Sequence, residues 1–158
     1  MICLAKDSSS FFTPSELFSF PVKLPLKVEY ACRVLVQLEA TYRSSNVRRI
    51  EDLASIEKIS ANYLVQILNE LRNAGLVESK RGKNGGYQLV RDPASVTLLD
   101  IISALEGQLL QLNSAGEGAS GNHVTGVWED VFNAINRELA KHTLADIAQR
   151  GAAQMWHI

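Results

Sequence analysis

Between Ile59 and Val90, the amides Asn62, Gln66, Asn69 and Asn73 recur every three or four residues and so share one face of a helix. A side-chain amide presents a donor and an acceptor together and can pair bidentately with a base edge, adenine above all. A few residues later, Arg81-Gly-Lys-Asn-Gly-Gly86 sets Arg81 and Lys83 in a glycine-rich tip, where they suit phosphate or minor-groove contact. The bland alternatives are an ordinary solvent face and a solubilising loop. A basic tip directly after a polar-faced helix weakens the second of these.

The elements that would carry those side chains follow from periodicity. Leu64, Ile67, Leu68 and Leu71 form an apolar stripe opposite the amides, and Ser60 is a good N-cap for their helix. Gly75 ends it as a left-handed C-cap would. Leu76 to Lys80 and Tyr87 to Val90 read as paired strands, with Gly85 and Gly86 supplying the positive φ values of a tight hairpin. Upstream, Val28, Ala31, Cys32, Val34, Leu35 and Leu38 predict a first helix over Leu24 to Tyr42. Ile50, Leu53, Ala54 and Ile56 mark a short second helix, with Ile59 closing the turn. A helix followed at once by a basic, glycine-rich hairpin is the output half of a winged helix-turn-helix, which can place the helix in a major groove.

Beyond the hairpin, Thr97-Leu-Leu-Asp100 predicts a capping box and a helix through Leu105, with Gly107 after it. Residues 108–126 are rich in Gly, Ser and Asn and read as a long loop. Val127, Trp128, Val131, Phe132, Ile135 and Leu139 predict a strongly amphipathic helix to about Lys141. The alternative is packing on its own domain, but a winged helix is small and covers little, so this apolar stripe reads as a dimerisation element. Thr143-Leu-Ala-Asp146 repeats the capping box and starts a short final helix, leaving a tail with Trp156 and His157.

Composition fits this layout. At 158 residues with 46% hydrophobic and 21% charged side chains, the chain can bury a core and is not a disordered polyelectrolyte. Its net charge of −1 hides an asymmetry: residues 23–92 hold twelve Lys/Arg against eight Asp/Glu, the rest four against nine. A basic head and an acidic body suit a polyanion reader joined to an interaction module, although chance variation in surface charge gives a similar balance. The expected parts are a flexible N-terminal extension (1–22), a winged helix-turn-helix domain (23–107), the loop (108–126), a dimerisation helix with a short final helix (127–150) and a tail (151–158).

Other chemistries find little support. No run of about 18 apolar residues spans a membrane. The apolar residues of the first 22 are too interrupted for a signal peptide, so a cytoplasmic location is expected. Cys3 and Cys32 lie far apart with no CxxC, which argues against a disulfide framework or zinc site. There is no GxGxxG or GxxxxGK[ST] pattern, and no nucleophile–base pairing or metal-ligand spacing that would indicate an enzyme.

The chain resembles the Rrf-two (BadM-type) family of bacterial transcription regulators. The likeness rests on Lys27-Val-Glu-Tyr-Ala-Cys-Arg33, Ile59-Ser-Ala-Asn-Tyr-Leu-Val-Gln-Ile-Leu68, Leu71-Arg-Asn-Ala-Gly-Leu-Val77, Arg81-Gly-Lys-Asn-Gly-Gly-Tyr87 and Leu98-Leu-Asp-Ile-Ile-Ser-Ala-Leu-Glu-Gly107. It covers roughly residues 24–150. Trp128 through Leu144-Ala-Asp-Ile-Ala148 looks like the dimerisation helix and tail of the cluster-free cysteine-metabolism repressors. The resemblance implies a mainly α homodimer with a small β-hairpin that binds a palindromic double-stranded operator. By motif, DNA contacts fall to Ser60, Asn62, Tyr63, Gln66, Arg72 and Arg81, with Lys83, Gly85 and Gly86 in the wing and Trp128, Val131, Phe132, Ile135 and Leu139 in the dimer helix.

Two departures shape the reading. Val65 stands where the family often has Glu, so an acceptor for cytosine is exchanged for an apolar contact such as a thymine methyl. Many relatives hold an iron–sulfur cluster through three cysteines in the loop after Leu-Glu-Gly, yet residues 108–126 contain none. Glu29 matches one ligand that some relatives use, but Arg33 stands at the histidine position and cannot ligate iron. No cofactor or metal is therefore expected, His123 reads as a loop histidine, and Cys32 reads as a core thiol before a redox switch. The expected function is a DNA-binding repressor whose signal is a small molecule, a partner enzyme or thiol oxidation. The rivals are a winged-helix protein-interaction module and a redox or iron–sulfur sensor with unusual ligands.

Overall fold

The computed structural model describes residues 23–44, 46–82, 85–107, 116 and 118–154, the side chains as far as residue 150. Helix α1 (Leu26–Glu39) lays Val28, Ala31, Val34, Leu35 and Leu38 into the core, following the predicted stripe. It is shorter than the expected Leu24–Tyr42 at both ends. Thr41 Oγ1 donates to the Leu38 carbonyl at 3.1 Å and Ser44 Oγ to the Thr41 carbonyl at 2.7 Å. These side-chain bonds favour a turn over continued helix.

Helix α2 (Ile50–Glu57) buries Leu53, whereas Ile56 lies half in solvent. Lys58 turns the chain in the left-handed region at φ 55°, and the buried Ile59 follows. Helix α3 (Ala61–Asn73) buries Leu64, Ile67, Leu68 and Leu71, and the Ser60 hydroxyl caps it by accepting the Tyr63 N–H at 3.3 Å. Gly75 follows at φ 72°, as predicted for its left-handed stop.

Strands β1 (Val77–Lys80) and β2 (Gly86–Leu89) pair antiparallel with Val77 opposite Leu89 and Lys80 opposite Gly86. A short 3-10 turn (Pro93–Ser95) leads into α4 (Leu98–Glu106), which buries Ile101, Ile102 and Leu105. Helix α5 (Gly121–Leu139) packs on α4, and α6 (Leu144–Gln154) packs on α1 and the 3-10 turn.

Both predicted capping boxes form, side by side. Thr97 and Asp100 exchange bonds at the start of α4, Thr143 and Asp146 at the start of α6. Between them, Leu98 N–H donates to the His142 carbonyl at 2.9 Å and Leu144 N–H to the Val96 carbonyl at 2.8 Å. Two helix starts thus satisfy each other's backbone, and Leu144 is sealed into the core at 0% exposure.

Two expected boundaries are corrected. The loop reading of 108–126 fails from Gly121, where α5 already begins, and His123 is therefore an exposed helical residue. Val124 continues the stripe of Trp128 and Val131, so tertiary pattern overrides the low helix propensity of Gly121 and Gly126. The final helix runs to Gln154, past the tail boundary at 151. The extension 1–22, the bulk of the cysteine-free loop and the residues Trp156 and His157 lie outside the described residues.

Candidate nucleic-acid interface

Helix α3 presents its polar face outward. Asn62, Val65, Gln66, Arg72 and Asn73 are exposed and Asn69 is half-buried. Among the described residues, Asn62, Gln66, Asn69 and Asn73 have no hydrogen-bond partner for their side-chain amides. Two other amides of the head are engaged: Gln37 donates to the Glu57 carboxylate at 2.7 Å, and Gln88 pairs with Glu78. The row on α3 is therefore free to meet an incoming ligand without breaking an internal bond.

The flanks of that face differ. On one side, Tyr63 is half-buried with its ring edge-on to Tyr30 at 6.0 Å, so the helix start is keyed to α1. On the same side, Glu70 is bound by Lys27 Nζ at 3.0 Å, which also donates to the Leu105 carbonyl at 2.8 Å and meets Glu106 at 3.4 Å. The Glu70 hydrogen bond, against some opposition from burial, raises the Lys27 pKa and keeps that staple charged. The other flank carries Val65 and Arg72.

The wing is tied to the segment that leads into α2. Arg48 N–H donates to the Tyr87 carbonyl at 2.9 Å, and Tyr87 N–H to the Arg48 carbonyl at 2.8 Å. This bridge adds a third backbone segment to the two-stranded hairpin, a link that local periodicity does not reveal. The expected role of Gly85 and Gly86 is corrected: neither has positive φ, which falls instead at Gly82 with φ 112°. What they supply is room. A Cβ at Gly86 would stand 2.5 Å from the Arg48 carbonyl oxygen, and one at Gly85 would collide with the Lys80 carbonyl. The tip closes by Gly85 N–H donating to the Gly82 carbonyl at 2.9 Å. Arg81 is exposed at its start, while Lys83 lies outside the described residues.

Helix α5 has no buried residue. Val127, Trp128 and Val131 are 64%, 46% and 39% exposed, and Val124 extends this apolar surface. Phe132, Ile135 and Leu139 are half-buried, and Leu139 packs on the core. The predicted dimer residues therefore fall on one stripe, half-buried toward its C-terminal end and open at its start.

This is the architecture of a winged helix-turn-helix protein. Residues 24–150 match the Rrf2 family, described as iron-dependent transcriptional regulators. A Mycobacterium tuberculosis chain assigned to the HTH-type transcriptional regulators is 36% identical over 142 residues, covering 87% of this chain and 86% of its own length. The structure of CymR, the global cysteine regulator of Bacillus subtilis, matches with a TM-score of 0.69 at 29% identity, over 82% of this chain and 98% of that one. The IscR structure from T. potens matches with a TM-score of 0.67 at 32% identity, over 83% of this chain and 89% of that one. The chain belongs to the Rrf2 family and is a DNA-binding transcriptional regulator.

The iron in the family description meets a donor set that does not fit an iron–sulfur cluster. Neither cysteine lies in residues 108–126. Cys32 is held in α1, where burial pushes its thiol up to about 11 and disfavours the thiolate a metal needs. Glu29 is engaged by Arg33 at 3.8 Å. Among the described residues no group of three or more His, Cys, Asp or Glu side chains is placed to hold a metal.

Proposed function

We propose that the chain is a homodimeric repressor that binds a two-fold operator through α3 and the wing and works without an iron–sulfur cluster. The observation that carries this reading is the unpartnered amide row on α3 beside the exposed Arg81. Asn62, Gln66 and Asn69 read base edges, Ser60 and Arg72 meet phosphates at the two ends of the helix, and Arg81 with Lys83 grips the flanking backbone. Tyr63, keyed against Tyr30, positions the helix start and offers its hydroxyl to the backbone.

The exposed stripe of Val124, Val127, Trp128 and Val131 receives the same stripe of a second copy, which sets two recognition helices on successive turns of the duplex. A small-molecule effector would find room in an open groove of about 650 Å³ lined by Leu99, Asp130, Asn133, Asn136, Arg137 and Ala140. Occupying it would bear on the α4–α5 junction that connects reader and dimer helix.

A mobility-shift assay with duplex from upstream of its own gene, run beside a scrambled duplex, tests this reading. A preferential shift by a species of twice the chain mass is the expected result. A shift of neither duplex would favour the protein-interaction rival, and equal affinity for both would overturn sequence-specific operator binding.

A further inference from the structure

We infer that α3 selects A·T base pairs where it meets each half-site, with Val65 as a specificity-determining residue. This inference rests on the DNA-binding reading above and names its target chemistry. The outward face of α3 from Ala61 to Asn69 carries Asn62, Val65, Gln66 and Asn69 and no charged side chain. The one carboxylate of α3, Glu70, sits on the α1-facing flank and is held by Lys27 at 3.0 Å. Cytosine is read best by a carboxylate that accepts from its N4 amino group, and that group is missing from the face. Guanine is read best by a bidentate cation, and Arg72 stands only in the last turn. Amides match the N6 donor and N7 acceptor of adenine.

Val65 completes the pattern. It is an apolar side chain left 38% exposed on a reading face, on the flank shared with Arg72. A β-branched side chain is stiff at χ1, so its methyl groups are presented in one place at little entropic cost. In a major groove the apolar partner available to it is the C5-methyl of thymine. Adenine-reading amides next to a thymine-reading valine both favour A·T pairs.

The test is selection from randomised duplexes with the full-length chain at fixed salt, followed by binding to the selected site. Positions whose preference relaxes in Gln66→Ala mark where α3 lies, and A·T pairs are expected there. Replacing thymine by uracil at those positions removes only the methyl. It should weaken wild-type binding roughly fourfold, the ratio for one buried methyl-sized group, and leave Val65→Ala unaffected. Val65→Glu should move one preferred pair toward one containing cytosine. Selected G·C pairs under α3, or equal wild-type affinity for thymine and uracil duplexes, would overturn the inference while the DNA-binding reading stood. Failure to enrich or shift any duplex would overturn both.

Discussion

Arg33 on α1 clamps Glu57 at the end of α2 by two bonds, from Nε to the carboxylate at 2.9 Å and from Nη2 to the backbone carbonyl at 2.6 Å. Glu57 is only 8% exposed, and Gln37 satisfies its other oxygen. The Arg33 guanidinium lies over the Tyr30 ring at 5.4 Å, and Tyr30 in turn meets Tyr63 at the start of α3. One chain of contacts thus runs from the helix-turn-helix turn through α1 to the reading helix.

Breaking that clamp leaves a buried carboxylate short of its cation. Arg33→Met is expected to cost about 1–3 kcal/mol, below the figure for a fully buried pair because Arg33 is partly exposed. Arg33→Met combined with Glu57→Leu should cost less than the two single changes together. Urea melts of the four proteins check this. Strict additivity would mean that the pair is not coupled.

A charge at the centre of the exposed α5 stripe should prevent self-association. Val131→Asp is expected to sediment as a monomer while keeping its helical content, because Val131 contributes nothing to the buried core. Operator affinity should fall at least tenfold through loss of the second half-site. A wild-type chain that is monomeric at micromolar concentration would refute the dimer.

Gly86→Ala should weaken the wing for a steric reason. Its Cβ would press on the Arg48 carbonyl at 2.5 Å, so the Arg48–Tyr87 bridge must open. A destabilisation of about 1–3 kcal/mol in a urea melt, with weaker DNA binding, is expected. Unchanged stability would show that the bridge yields freely.

The Cys32 thiol, raised by burial from its ordinary 9.0 to about 11, should resist thiol reagents. In a Cys3→Ser background, labelling by a disulfide reagent at pH 8 is expected to be slow in the folded protein and fast in urea. The folded state holds this proton more tightly than the unfolded chain. Its contribution to stability is therefore complete below pH 9 and lost as pH rises toward 11. Rapid labelling of the folded protein would restore the redox-switch reading.

What the sequence reveals here is what depends on neighbours three or four residues apart. The stripe of α3, the Ser60 cap and both Thr–Asp boxes are of that kind, and each stands where periodicity puts it. Arg33 and Glu57 are 24 residues apart, and nothing local marks them as partners. The need for Gly86 is set by the Arg48 carbonyl, so its glycine signal was legible while its reason was not. The start of α5 was hidden because Gly121 and Gly126 look like loop residues, although Val124 already belonged to the apolar stripe.

One titration separates base reading by α3 from phosphate gripping by the wing. Binding of the wild type, Gln66→Ala and Arg81→Ala to the preferred and a scrambled duplex is followed by anisotropy between 50 and 200 mM salt. Gln66→Ala should lose about 1–3 kcal/mol on the preferred duplex alone. Arg81→Ala should weaken both duplexes and reduce the salt slope by about one phosphate. If both variants bind both duplexes as the wild type does, with the same slope, α3 and the wing are not the reading head.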